Sequence, residues 1–427
     1  MKTWRQTSPT GRTLLIAVLF TGLTTFMFLP LLAIQLTAQG IPASRTGFLV
    51  GLLAFSSQGF SLLCGLLVDR LGARRVMMAG FALRIIGYLL LSLGGGTQLA
   101  PIVTGIVTIG VGGSMLGLSI KTLLVSEDSV EPRTMLALRA TFVNIGVVLG
   151  PALGAAVYPL GFPFILGACV LSHLVLGLRL VFRPLAAGPR PRPAAGAATD
   201  NSAPDTPRWA RWQWAPLCLT GVAYWAIYSQ LNVVMPITAR AMTGSTAAIS
   251  VVFTVNGALV VLCQYTLLRH VFRRTATRTL LVLGFLAFGC AYAALIPRAG
   301  WFSLLLFVLP VTAAEMLVGP SLDEQAIKAS SLRGTGRALG TMSAAGACGS
   351  LLGASMGGYL LQTLRGGSGV WLVIIGLSAI AAAACLLLPK DRARHASSNV
   401  PGGATRTPSR DPRPAAPPGA EPSGAAQ

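Results

Sequence analysis

Apolar residues fill this chain in long runs, and polar and charged residues are confined to the short gaps between them. A run of about 20 apolar residues forms a helix long enough to cross about 30 Å of hydrocarbon. Twelve such runs are present, six in each half. The first six cover about residues 13–35, 46–68, 75–93, 98–121, 136–158 and 162–182. The second six cover about residues 214–236, 247–269, 278–297, 301–322, 337–362 and 369–389. The pattern therefore predicts an all-α integral membrane protein of twelve transmembrane helices.

The runs also divide the chain. Residues 1–12 form a short basic N-terminus ahead of a first helix that is expected to stay uncleaved. Residues 13–183 and 214–390 make two six-helix bundles. The stretch 184–213 between them is rich in Pro, Ala, Gly and Arg, and so is the tail 391–427. Neither has enough large apolar residues to build a core, so a linker and a disordered tail are expected. The halves resemble each other. Met27-Phe28-Leu29-Pro30 near the end of the first span is matched by Val233-Val234-Met235-Pro236 near the end of the seventh. Weak similarity at a separation of about 200 residues indicates a duplicated, pseudo-symmetric bundle.

Composition agrees with this reading. Hydrophobic residues make up 53% of the chain and charged residues 11%, against about 25% charged in soluble domains. The formal charge of +21 raises nucleic-acid binding as an alternative. The positions exclude it, because the basic residues sit in loops rather than along one face. All but five of the 33 Lys and Arg fall at gaps on one side of the predicted membrane; the exceptions are Arg45, Arg240, Arg298 and Arg365 in opposite loops and Arg84 within a span. Positive loops are retained inside. Both termini and the linker are therefore expected in the cytoplasm, with the protein multi-pass in the inner or plasma membrane. The seven cysteines all lie within apolar runs, as small buried hydrophobes would. No P-loop, catalytic constellation or metal cluster is apparent, so neither an enzyme nor direct ATP drive is expected.

One gap carries more than positive charge. Gly65, Asp69, Arg70, Gly72, Arg74 and Arg75 lie between the second and third spans. A basic cytoplasmic loop accounts for the arginines, but it leaves Asp69 and the glycine spacing unexplained. Gly65 would admit close helix contact, and Gly72 a sharp turn. Asp69 at a membrane edge is costly without a partner. On the fifth span Gly146, Gly150 and Gly154 recur every four residues, with Pro151 after the second glycine. That spacing puts the glycines on one face, where a neighbouring helix can approach closely.

These residues resemble two signatures of the major facilitator superfamily, and the resemblance extends over the whole membrane-embedded chain. Gly65, Asp69, Arg70, Gly72 and Arg74 match G-x-x-x-D-R-x-G-R-R, with Ala73 in place of one arginine and Arg75 as an extra charge. Gly146, Gly150, Pro151 and Gly154 resemble the G-x-x-x-G-P-x-x-G motif of the drug:proton antiporter branch, with Ala137 and Ala155 where the fuller pattern has glycine. The resemblance implies two bundles that alternate access to a midplane cavity, driven by the proton gradient with no cofactor. It implies that Asp69 latches the cytoplasmic side in the outward-open state, and Arg133 in the matching gap of the first half is a candidate partner. The arginine that this branch often has in the fourth span is missing, since Ile106 stands at that position.

Glu315 is the one carboxylate well within an apolar run. An ionisable group at such depth is a functional candidate by default. It lies about 10 Å from the inner end of its helix, where it can alternate between holding a proton and attracting a cationic substrate. A structural carboxylate is the competing reading. Arg84 is read as a snorkelling or structural residue, and His173 as a satisfied buried histidine. Thr21, Thr25 and Phe28 of the first span, with Tyr224, Tyr228 and Gln230 of the seventh, are the candidate cavity lining. Aromatics with few fixed charges suit an amphipathic organic molecule. The expectation is therefore a lipid-embedded monomer exporting a small drug-like molecule or metabolite against protons. Uptake, lipid or nutrient transport on the same fold is the alternative, as is a non-transporting receptor or scaffold.

Overall fold

The computed structural model describes residues 6–94, 98–127, 132–182, 208–267, 271–272, 275–329, 335–365 and 367–388. The proposed linker, the C-terminal tail and the Arg133 side chain lie outside the described residues. Among the described residues, twelve helical units occupy the twelve predicted positions. They are α1 (Pro9–Ala38), α2 (Ala43–Gly59 and Ser61–Leu71), α3 (Ala73–Leu93), α4 (Leu99–Val125), α5 (Pro132–Val157) and α6 (Phe162–Phe182), followed by α7 (Arg208–Tyr228 and Val234–Thr243), α8 (Ala247–Thr266), α9 (Thr277–Ala293), α10 (Trp301–Ala329), α11 (Thr335–Thr363) and α12 (Gly369–Cys385). Nine of these are long and apolar enough to cross a membrane by themselves, and α2 is a bent tenth. Helices α9 and α12 are shorter apolar helices of 17 residues each, at the lower limit for a span.

Local chemistry sets where these helices start and break. α1 begins four residues before its apolar run because Ser8 Oγ accepts from Gly11 N at 2.9 Å and Pro9 takes the first position. Gly72 separates α2 from α3 with φ 86°, a conformation that side chains with a Cβ avoid. The pattern predicted an unbroken seventh span, and the structure breaks it into two helices around a tight turn at Ser229–Leu231. The cause is local. Gln230 Nε2 and Ser229 Oγ both donate to Ala226 O, at 2.7 and 2.8 Å. They compete for the carbonyl that would continue the helix, and Pro236 brings no N–H to the next turn.

Within the first six helices α1 packs on α5, α3 on α4 and α6, and α2 on α4; within the last six α9 packs on α10 and α12, and α7 on α11. The most extensive pairings between the two sets are α2 with α11 and α5 with α8. The α1–α5 contact is backbone against backbone. A Cβ on Gly146 would lie 2.7 Å from Leu23 N, and one on Gly150 would lie 2.8 Å from Leu23 O. The four-residue glycine spacing is thus a groove that seats α1. Large apolar side chains such as Leu171, Leu262, Leu309 and Ile380 point outward and are more than half exposed, as a lipid-facing surface requires.

Candidate functional site

A cavity of about 340 Å³ lies between the two sets of helices. Its wall includes Thr25 and Phe28 from α1, Arg84 from α3, Tyr228 and Asn232 from α7, Asn256 from α8 and Glu315 from α10. Two further cavities adjoin it toward the end that carries the basic 65–75 turn. One, of about 240 Å³, shares Thr25, Ser57 and Arg84 with the main cavity and adds Thr21 and Arg139. The other, of about 320 Å³, shares Gln58 and Trp225 and adds Tyr224 and Asp323.

The opposite end is closed. Ser44 N donates to Gln362 Oε1 at 3.3 Å, and Gly358 of α11 lies against the backbone of Ala43 and Gly47. The site is therefore a central chamber continued toward the basic end and sealed at the other.

Glu315 is held from two helices. Tyr228 Oη donates to its Oε1 at 3.2 Å, and Asn256 Nδ2 donates to its Oε2 at 3.0 Å. Asn256 is oriented in turn by Thr312, whose hydroxyl donates to Asn256 Oδ1 at 2.6 Å. Both carboxylate oxygens are thus engaged, while the group still borders the cavity. Tyr228 is fixed by Tyr224 and Trp225, with ring centroids at 5.8 and 5.5 Å. The arrangement can present a proton or a negative charge to whatever occupies the chamber.

Arg84 faces the same chamber from the other set of helices. It is 3% exposed, so it does not snorkel to the membrane surface as a peripheral arginine would. Its Nη2 donates to Thr25 Oγ1 at 2.7 Å, and its guanidinium lies 5.6 Å from the centre of the Tyr88 ring. His173, behind Tyr88, is fully buried with Nδ1 2.8 Å from Cys169 O.

Not every candidate lines the main cavity. Thr25, Phe28 and Tyr228 do. Thr21 and Tyr224 border the adjoining cavities instead. Gln230 is a correction. It is completely buried and turned away from the chamber, where Nε2 donates to Gly353 O of α11 at 2.8 Å as well as to its own helix. Its amide is consumed by the helix break and the α7–α11 contact. Asn144, Asn232 and Asn256 also line the main cavity and are not among the sequence-derived candidates, although an amide within an apolar run is a readable signal.

In the basic turn, Asp69, Arg70, Arg74 and Arg75 are exposed. Asp69 makes no ion pair among the described residues, and Arg74 Nη2 donates to Val181 O at 3.2 Å. Gly65 is a second correction. A Cβ there would meet Leu118 at an ordinary 3.7 Å, so no tight contact demands glycine in this conformation.

Comparison with known proteins places these features in context. A family model described as Major Facilitator Superfamily matches residues 14–336. Multidrug resistance protein MdtH of Aeromonas salmonicida is 24% identical over 57% of this chain and 60% of its own length. MdtH of Aeromonas hydrophila is 24% identical over 61% of this chain and 64% of its own length. The match thus spans less than two thirds of these relatives. The uncharacterized MFS-type transporter YqjV of Bacillus subtilis is 35% identical over 36% of the chain and 38% of its own length. Among solved structures, a mutant of the nucleoside transporter NupG superposes with a TM-score of 0.74 at 14% identity, over 89% of this chain and 99% of that one. A peptide transporter POT in complex with sulfate superposes with a TM-score of 0.73 at 15% identity, over 89% and 94%. At such identities the structural likeness speaks for the fold.

Proposed function

The chain belongs to the Major Facilitator Superfamily and is a multi-pass membrane transporter, and we propose that it exports a small amphipathic drug-like molecule or metabolite in exchange for protons. The observation that carries this reading is Glu315. Among the described residues it is the sole carboxylate on the wall of the main cavity, and it is held by Tyr228 and Asn256. A carboxylate so placed takes up a proton or a cationic group, and occupancy by one disfavours the other.

The basic end is taken as cytoplasmic from the distribution of Lys and Arg. The described conformation then faces inward, and Asp69, which makes no ion pair among the described residues, is the open latch of that state. Substrate enters from the cytoplasm through the adjoining cavities. The two six-helix halves rock until the 43–47 and 354–358 contact opens, and a proton reaching Glu315 from outside displaces the cargo. The proton gradient supplies the energy, with no cofactor. The relatives named multidrug resistance proteins support export over uptake.

The test uses purified protein in liposomes with an imposed pH gradient and a broad panel of amphipathic compounds. Substrate-dependent proton flux is expected, and Glu315→Gln should abolish it while leaving the folded yield intact. No such flux for any compound, or unchanged flux in the variant, would overturn the antiport reading.

A further inference from the structure

The chamber has two electrical poles. Glu315 stands on the wall contributed by the last six helices, and Arg84 on the wall contributed by the first six. The two are not an ion pair, since no carboxylate of the described residues comes within 4.0 Å of Arg84. A guanidinium keeps its charge under all physiological conditions. Buried in a membrane protein, it is costly unless an anion or several acceptors answer it. Here one hydroxyl and one ring face answer it, and its Nε has no acceptor among the described residues.

A second arginine extends the positive pole. Arg139 borders the adjoining cavity together with Arg84, and its Nε is also without a partner among the described residues. Thr21, with a buried hydroxyl that likewise lacks a partner, lies on the same wall. No carboxylate of the described residues contributes to that lining. Two guanidinium groups, each with an Nε that lacks an acceptor among the described residues, form beside hydroxyls a receptor for a carboxylate or a similar oxyanion, which arginine engages through paired N–H donors.

We infer that the cargo is an amphipathic zwitterion, whose acidic group docks at Arg84 and Arg139 and whose amine docks at Glu315. This rests on the transport reading above and narrows it. Glu315 alone would favour a lipophilic monocation. A monocation in this chamber would leave Arg84 unanswered and would add to the positive field around it. The apolar side chains that also line the chamber, Phe28, Val50, Phe253 and Trp225, suit a hydrophobic body attached to the charged head.

The experiment keeps one scaffold and changes only its charge. Nε-dansyl-lysine is a zwitterion, its methyl ester a monocation and its Nα-acetyl derivative a monoanion. Binding to the purified full chain is read by energy transfer from tryptophan, with Trp225 in the cavity wall as donor. The zwitterion should bind at least about tenfold more tightly than either derivative, as loss of one charge-assisted contact implies. Arg84→Gln should bring the zwitterion and the ester to equal affinity, while Arg84→Lys should restore part of the difference. Arg139→Gln, at a half-buried position, should narrow the same ratio and serves where Arg84→Gln folds poorly. Glu315→Gln should equalise zwitterion and monoanion.

Equal affinity for the ester in the unaltered protein, a ratio insensitive to both arginine variants, or no saturable binding of any of the three overturns the inference. None of these results touches the efflux reading, which depends on proton flux with the broad panel.

Discussion

Tyr228 on α7 donates a hydrogen bond to Glu315 Oε1 on α10 at 3.2 Å, so the helix that breaks at 229–231 is tied to the helix that carries the cavity acid. Removing that hydroxyl leaves the ring in place against Tyr224 and Trp225. Tyr228→Phe should therefore fold normally and still bind cargo. Its loss should remove one of the two bonds that hold the Glu315 carboxylate, worth about 0.5–1.5 kcal/mol net. The expected result is a shift of up to about one pH unit in the pH dependence of transport. An unchanged pH profile would remove Tyr228 from the coupling mechanism.

Asp69 is exposed and has no ion-pair partner among the described residues. Asp69→Asn should then leave the stability of this conformation within about 0.5 kcal/mol, as for other exposed positions. What it should lose is the state in which the basic end is shut. Turnover is expected to fall several-fold while substrate affinity in the inward-facing state is kept. Labelling of an engineered cysteine in the main cavity from the basic side should rise in the variant. Normal turnover would refute the latch.

Much of the fold was legible because hydrophobic length and charge placement are one-dimensional signals. The twelve apolar runs, the turn at Gly72 and the glycine face of α5 could be read from spacing. The breaks were less legible. Phe60 interrupts α2 within an apolar run, and α7 bends because side chains at 229 and 230 capture a backbone carbonyl. Neither effect has a period. The site was legible only where a charge stood alone in an apolar run, as at Glu315. Arg84 stood out equally, yet its role depends on which helix lies across from it. Asn256 depends on the same knowledge, because its bond to Glu315 links residues 59 positions apart.

The α1–α5 contact makes a steric prediction. A methyl group on Gly150 would press on Leu23 O and Phe26 Cβ, each at 2.8 Å, and on Met27 N at 3.0 Å. Two of these neighbours are backbone atoms of a rigid helix and cannot turn aside. Gly150→Ala should cost about 1–3 kcal/mol, the usual range for overpacking. Gly150→Leu should cost more and lower the yield of folded protein. The contrast is Gly167 in α6, where a Cβ meets nothing within 4 Å; Gly167→Ala should be neutral or slightly stabilising, since alanine favours the helix. Thermal melting of the two alanine variants in the same detergent would decide the matter, and equal midpoints would contradict the packing argument.

Gln230 separates a cavity-lining role from a structural one. The helix break at 229–231 needs its amide, which donates to Ala226 O at 2.7 Å and to Gly353 O at 2.8 Å. Gln230→Leu would remove the side-chain bond to Gly353 O and leave Ala226 O with Ser229 Oγ as its side-chain donor, at about 0.5–1.5 kcal/mol for each hydrogen bond lost. It would also push a branched side chain toward Gly357, whose open Cα position the glutamine already fills. A large loss of thermal stability is expected. Gln230→Glu supplies the shape without the donating amide, and it places a charge in the contact between α7 and α11. Its loss should equal or exceed that of the leucine variant. Because Gln230 faces away from the chamber, the fraction of either variant that folds should bind cargo with unaltered affinity. A variant of normal stability but weakened binding would return Gln230 to the cavity wall and would require a different course for α7.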